Sequence, residues 1–253
     1  MWILKPAGLN RGRGIRIFNS VDFLKNFIKN YSKDGSKIER SSLTPNAYIV
    51  QKYIESPLLI KDRKFDIRMW VLVTGDMNGY LFREGYIRTS SSPFIIDPNN
   101  ADDKFVHLTN NAIQRHSTSY GSFEDGNQLS FGQFKTYIGT TRFNDIVLPQ
   151  IKAIVEKSLL ATRKKLNPTR QRNLFEIFGY DFIIDTDYNV WLIEVNTNPC
   201  LEESSFLLKS LLPRMIDDAF KLTLDKYFVR PKEYERSKIR YPVAGYDDNF
   251  NIW

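Results

Sequence analysis

The sequence predicts an α+β protein, on three observations. Runs rich in β-branched and aromatic residues at 47–54, 65–74 and 80–90 read as strands. FGYDFIID and VWLIEVN flank the short segment TDYN and read as an antiparallel hairpin. Apolar stripes at spacings of three and four mark helices elsewhere in the chain, so strands and helices are segregated.

In chain order, WILKP is a short apolar strand that runs into the loop PAGLNRGRGI, and IRIF follows. Ser20 is placed to cap VDFLKNFIKN, where Val21, Phe23, Leu24, Phe27 and Ile28 share one helical face. Residues 31–46 are polar and read as a loop. AYIVQKYI and FDIRMWVLVT are strands, GDMNG is a turn, and YLFREGYIRTS returns as a strand. Residues 91–145 hold SSP, DPNNADD and GSFEDGNQ and read as irregular. Leu148, Ile151, Ile154, Val155 and Leu159 predict a helix over 148–166, with Pro149 tolerated in its first turn. The helical pattern at 203–228 contains Pro213, which is expected to kink or split it. The tail from 229 has mixed charge and little periodicity.

At 253 residues the chain can bury a full core, as one large domain or two small ones. No apolar run approaches the roughly 18–20 residues of a membrane span, and no secretory pattern stands at the start. A single cysteine, Cys200, excludes an internal disulfide and suits a reducing compartment, so a cytoplasmic protein is expected. Net charge is +7, from 36 basic and 29 acidic residues. That balance fits a solvated basic surface or attraction to a polyanion, and charge alone does not choose. No nucleic-acid recognition motif accompanies it, and neither nucleic acid nor membrane is expected as a partner.

Glu194 interrupts the apolar run VWLIEVN, and an ionised carboxylate in such a place needs a partner. If the hairpin pairs symmetrically about TDYN, Asp185 faces Val190 and Asp181 faces Glu194, with Asn196 on the same sheet face. Two carboxylates and an amide would then cluster. Such oxygen donors suit Mg²⁺, while pairing with lysine or arginine is the alternative.

Other residues carry candidate chemistry. The loop PAGLNRGRGI, with Gly12, Gly14, Arg11 and Arg13, could offer backbone N–H groups and positive charge to phosphate, although it is not a Walker loop. Lys5 and Lys52 lie in or beside apolar strands, as edge residues or as a nucleotide clamp. Alternation puts Lys64, Asp66 and Arg68 on one face of KFDIRMW, with Phe65, Ile67 and Met69 opposite. That polar face is either a solvated strand side or a site, which Arg83 and Arg88 would join. His107 and His116 have no metal spacing and read as structural or surface residues, and Cys200 has no evident base.

WILKP…GRGI, YIVQKYI, RKFDIRMWVLVT, LFREGYIRT, HLTNNAIQ and FGYDFIID…VWLIEVNTNP occur in that order. Together they resemble the tubulin tyrosine ligase-like family over most of residues 2–228. The resemblance implies an ATP-grasp fold, in which two subdomains grip a nucleotide between β-sheets. Residues 1–60 would form a partial central subdomain, 61–228 the C-terminal subdomain, and 229–253 a tail. Family members carry a further domain before WILKP, so the chain is expected to be a fragment lacking an N-terminal part.

By motif match, Lys5 and Lys52 would contact ATP, and Gln51, Lys52, Tyr53 and Ile54 would hold adenine largely through backbone groups. Lys64 and Asp66 would line the same site, and Asp181, Glu194 and Asn196 fall on the family's Mg²⁺ ligands. Arg68 and Arg88, with Thr109 and Asn110, would position phosphate and the amino-acid substrate. The implied reaction joins a free amino acid to a carboxylate of tubulin through an acyl phosphate. Acidic tails of tubulin or microtubules would be the partner, in the cytoplasm, on the cytoskeleton or in a cilium. REGYIRT resembles the tyrosine ligase, whereas the loop at 6–14 and NTNP resemble other branches, including glycine ligases. Tyrosine is therefore the first expectation. A glutamate or glycine ligase, or a non-catalytic microtubule-binding module, is the alternative.

Overall fold

A computed structural model describes residues 1–7, 12–34, 47–97, 103–169 and 171–228. Arg11, most of the polar loop before residue 47 and the tail from 229 lie outside the described residues. Strand β1 (Trp2–Pro6) sits between β2 (Arg16–Phe18) and β3 (Tyr48–Lys52), antiparallel to both, in a small three-stranded sheet. Helix α1 (Val21–Asp34) covers it by aromatic contact: Phe23 stacks on Phe18 at 5.1 Å and Phe27 meets Tyr48 edge-on at 4.9 Å. The helix runs past residue 30, where a loop is predicted, because no glycine or proline stands before Gly35 to stop it.

The larger sheet is antiparallel throughout. Strand β4 (Leu59–Ile60) pairs with β5 (Arg63–Thr74), which turns at 75–78 into β6 (Gly79–Pro93). Short helical turns α2 (Lys104–His107) and α3 (Asn111–Gln114) follow, then a 3-10 turn at Asp125–Asn127 and β7 (Gln128–Ser130). Helices α4 (Phe131–Ile138) and α5 (Thr140–Arg142) lead through a π-helical turn (Phe143–Val147) into α6 (Leu148–Leu166). Strands β8 (Phe175–Ile184) and β9 (Val190–Asn196) form the predicted hairpin, and α7 (Phe206–Leu222) ends in a 3-10 turn. The strand order is β7-β6-β5-β8-β9, with β4 beside β5.

β5 has two unlike faces. Phe65, Ile67, Met69, Val71 and Val73 pack into the main core, against Phe134, Phe143, Val147, Ile151 and Val155. On the other face Trp70 joins Phe82 and Tyr86 beneath Leu208, Leu211, Leu212 and Met215 of α7. Helix α7 thus covers one end of that face, and Lys64, Asp66 and Arg68 are left at the uncovered end. The alternation read from KFDIRMW holds.

Three expectations need correction. The stretch at 91–145 is not irregular throughout. β6 extends to Pro93, and α4 starts on a capping box in which the Ser130 hydroxyl accepts from the Gln133 N–H. Gly132 and Gly139 near the ends of α4 disguised an eight-residue helix as loop. Pro213 does not split α7: apolar side chains on either side of it, Leu211, Leu212 and Met215, are buried on the sheet, and one lost backbone hydrogen bond does not outweigh them. Asp185 does not face Val190. Asp181 does face Glu194, but Ile193 is an extra residue in β9, so the pairs beyond it shift to Phe182–Leu192 and Ile184–Val190. Asp185 instead closes the turn, its carboxylate accepting from the N–H groups of Asp187 and Asn189 at 2.9 Å each.

Candidate active site

Between the small sheet and the polar end of β5 lies a cavity of about 640 Å³. Strand register builds its floor. Tyr86, Arg68, Asp181 and Glu194 stand directly opposite one another in succession across β6, β5, β8 and β9, and Gln128, Arg88 and Asp66 form the next row. Directly opposed residues share a face, so both rows look into the same space.

The centre of that floor is a buried quartet of two arginines and two aspartates. Arg88 donates Nε and Nη2 to Asp66 at 2.7 and 2.6 Å, and its Nη2 also lies 2.8 Å from Asp181 Oδ2. Arg68 grips Asp181 in the same forked manner through Nε and Nη2. Thr109 donates to Asp66 Oδ2 at 2.6 Å. Burial alone would raise the Asp181 carboxyl, but Arg88 and Arg68 hold it well below the usual carboxylate range. Each guanidinium spends Nε and Nη2 on carboxylates, and neither Nη1 has a hydrogen-bond partner among the described residues. The quartet is neutral as a whole, yet it presents donor atoms to the cavity.

Cations ring it. Lys64 is buried, donating to the Tyr53 hydroxyl at 2.9 Å and the His107 carbonyl at 3.0 Å, and burial lowers its amine to about 7. Lys5, on the central strand of the small sheet, is lowered by burial against the opposing pull of Glu194 and Asp181. Glu194 is open to solvent within the concave wall, and its carboxyl is raised by burial among protein groups and by the nearby Asp181.

The donor set fits a hard divalent cation. Among the described residues no three His, Cys, Asp or Glu side chains gather to hold a metal. The candidate ligands are the Glu194 carboxylate, the Asn196 amide and Asp181, whose oxygens are shared with Arg68 and Arg88; Mg²⁺ held there would be completed by water and phosphate. Among the described residues Glu194 accepts from Asn196 Nδ2, at 3.2 Å, and a cation would relieve its repulsion from Asp181. The Asn196 amide also donates to Asp181, at 3.3 Å, and a half-turn of that amide would present its oxygen instead.

Of the remaining expected residues, Gly12, Thr109 and Asn110 line the cavity, and Arg13 joins them. Gly12 has φ +71° and an added Cβ would strike the Ile113 side chain, so only glycine fits the loop against α3. Tyr53 is buried just behind the wall, where its hydroxyl meets His107 Nδ1 at 2.9 Å. Gly14, Gln51, Lys52 and Ile54 are not among the lining residues. Lys52 is exposed and pairs with Glu55 at 2.5 Å, which raises its amine. Arg83 is also exposed and outside the lining, since it stands five residues before Arg88 and alternation turns it to the other face. His107 is buried and is also among the cavity-lining residues, and its hydrogen bonds tie Lys64 to the small sheet. Tyr86, Gln128 and Ser204 line the cavity and were not anticipated. Tyr86 stands two residues before Arg88 and alternation could have found it; Gln128 carried no such signal, because its strand is three residues long.

The profile of the Tubulin-tyrosine ligase family matches residues 1–235. The chain belongs to the tubulin-tyrosine ligase family. Among curated relatives of this family, Tubulin glycylase 3D of Tetrahymena thermophila is 37% identical over 250 residues, 95% of this chain and 22% of its own length. Tubulin glycylase 3B of the same organism is 36% identical over 231 residues, 89% of this chain and 18% of its own. Tubulin monoglycylase TTLL3 of Danio rerio is 30% identical over 260 residues, 98% of this chain and 32% of its own. The chain therefore spans 18% to 32% of the length of these relatives.

Proposed function

We propose that the cleft carries out an ATP- and Mg²⁺-dependent ligation of glycine to a carboxylate of tubulin. The observation that carries this reading is the buried Asp66–Arg88–Asp181–Arg68 quartet, with the carboxylate of Glu194 beside it. The small sheet and the larger one act as two halves of an ATP-grasp, divided between β3 and β4. ATP with Mg²⁺ would supply a phosphoryl group to activate the acceptor carboxylate, leaving ADP, and the amino group of glycine would form the amide as phosphate departs. Glu194, Asp181 and Asn196 hold the metal. Lys5, Lys64 and the Gly12 loop meet phosphate, and Thr109 steadies Asp66 for the nucleotide. Arg68 and Arg88 orient phosphoryl and amino-acid groups through fixed donors, and so supply positioning and charge stabilisation without reorganisation.

Glycine replaces tyrosine as the amino acid proposed, because the relatives named above are glycylases and none is named for tyrosine. The setting proposed is the cytoskeleton, where acidic tubulin tails would be drawn to a chain of net charge +7. Among the described residues no helix is long and apolar enough to cross a membrane. The test is ADP release by the full chain with tubulin and each amino acid in turn. Release that needs both tubulin and glycine supports the reading; release that is independent of amino acid, or absent, overturns it.

A further inference from the structure

Beyond Arg88 the cavity continues to an end that the nucleotide and metal roles leave unused. Tyr86 lines it, is 5% exposed, and its hydroxyl has no hydrogen-bond partner among the described residues. The ring is buried while the hydroxyl opens on the cavity, where it is free to donate to a ligand. The unused Nη1 atoms of Arg68 and Arg88 belong to the residues directly opposite and next along the same face. Together these donors suit a small carboxylate.

Gln128 stands directly opposite Arg88 on the neighbouring strand and is 5% exposed. Its amide is held at both ends. Oε1 accepts from the Ser205 hydroxyl at 2.6 Å, and Nε2 donates to Ser204 Oγ at 3.3 Å. Ser205 is itself the cap of α7, accepting from the Leu208 N–H at 3.1 Å. The preceding turn has no slack, since a Cβ on Gly126 would lie 3.2 Å from the Ser205 side chain. These bonds brace the wall against displacement by a larger group.

Resting on the proposed ligase function, we infer that Tyr86 and Gln128 form the amino-acid end of the cleft. The Tyr86 hydroxyl donates to the carboxylate of the incoming amino acid beside the arginines, and the braced Gln128 amide excludes side chains larger than a hydrogen atom. A rigid wall of this kind discriminates one added methylene by roughly 10–200-fold.

The experiment measures amino-acid incorporation into tubulin by the full chain with glycine, alanine, serine and 2-aminobutyrate. In the wild type kcat/KM is expected to fall in that size order, by about tenfold or more from glycine to alanine. Gln128→Ala, and Gln128→Asn as the milder change, should raise the alanine-to-glycine ratio by about tenfold. Tyr86→Phe should raise the KM for glycine by about tenfold, with a smaller effect on the KM for ATP. The inference is overturned if the wild type uses alanine as readily as glycine, which no folding failure of a variant can obscure. It is also overturned if a folded Gln128 variant, checked by its melting curve, leaves the ratio unmoved. Wild-type protein that incorporates no amino acid at all overturns the ligase reading itself, a different result from lost selectivity.

Discussion

Arg88 holds two buried carboxylates at once, and without it Asp66 and Asp181, diagonal neighbours on adjacent strands, would keep half their counter-charge. Arg88→Met should therefore lower the unfolding free energy by about 3–5 kcal/mol, measured by urea denaturation, whereas a loss below about 1 kcal/mol would mean the quartet is not coupled. Arg88→Lys keeps the charge but loses the fork, and should fall between the two. Lys64 gives a pH signature of its own. Burial lowers its amine from the ordinary 10.5 to about 7, so between those values the unfolded chain binds a proton that the folded chain does not. Its cost to stability is thus fully present below about pH 7 and is relieved as pH rises toward 10. Relative to Lys64→Met, the wild type should gain stability over that window. Thermal melts of the two proteins from pH 6.5 to 9.5 check this, and parallel pH profiles would refute it.

The elements that carry the site differ in how far they could be read. The hairpin of β8 and β9 was legible at Asp181 and Glu194, because the extra residue Ile193 offsets the one-residue shift at its turn. It was misread nearer the turn, because a one-residue bulge leaves no mark in an alternating apolar run. α6 was legible to its ends through nineteen residues of periodicity. α4 was not, since eight residues bounded by glycines give periodicity little room. The pairing of Arg88 with Asp66 and Asp181 is a property of the sheet order, and composition does not disclose it. Close approach at β8 is open to test. An added Cβ on Gly179 would lie 2.9 Å from Pro199 and 3.3 Å from Arg68 Nη1. Gly179→Ala should cost about 1–3 kcal/mol in denaturation and displace Arg68, with a larger loss in ligation than in ATP binding. Unchanged stability and turnover would show that the site tolerates the shift.

On the scale of the whole molecule, two sheets of unequal size meet around one cavity, and the Tyr53–His107–Lys64 hydrogen bonds tie the smaller sheet to the larger. A net charge of +7 facing acidic tubulin tails predicts co-sedimentation with microtubules that weakens steadily between about 50 and 300 mM salt, over which the Debye length roughly halves. Salt-independent binding would point to an apolar interface instead. The central claim is that Glu194 and its neighbours serve ligation of glycine, and Glu194→Gln separates this from mere binding. Glu194 is exposed and, among the described residues, accepts from Asn196, so the substitution should leave the melting temperature within a few degrees. The most direct measurement is mass spectrometry of tubulin tails after incubation with the full chain, ATP, Mg²⁺ and a mixture of amino acids. Wild-type protein should add glycine, and Glu194→Gln should add it at least about 100-fold more slowly while still binding microtubules. Tails left unmodified by the wild type, or modified equally by the variant, would contradict the account.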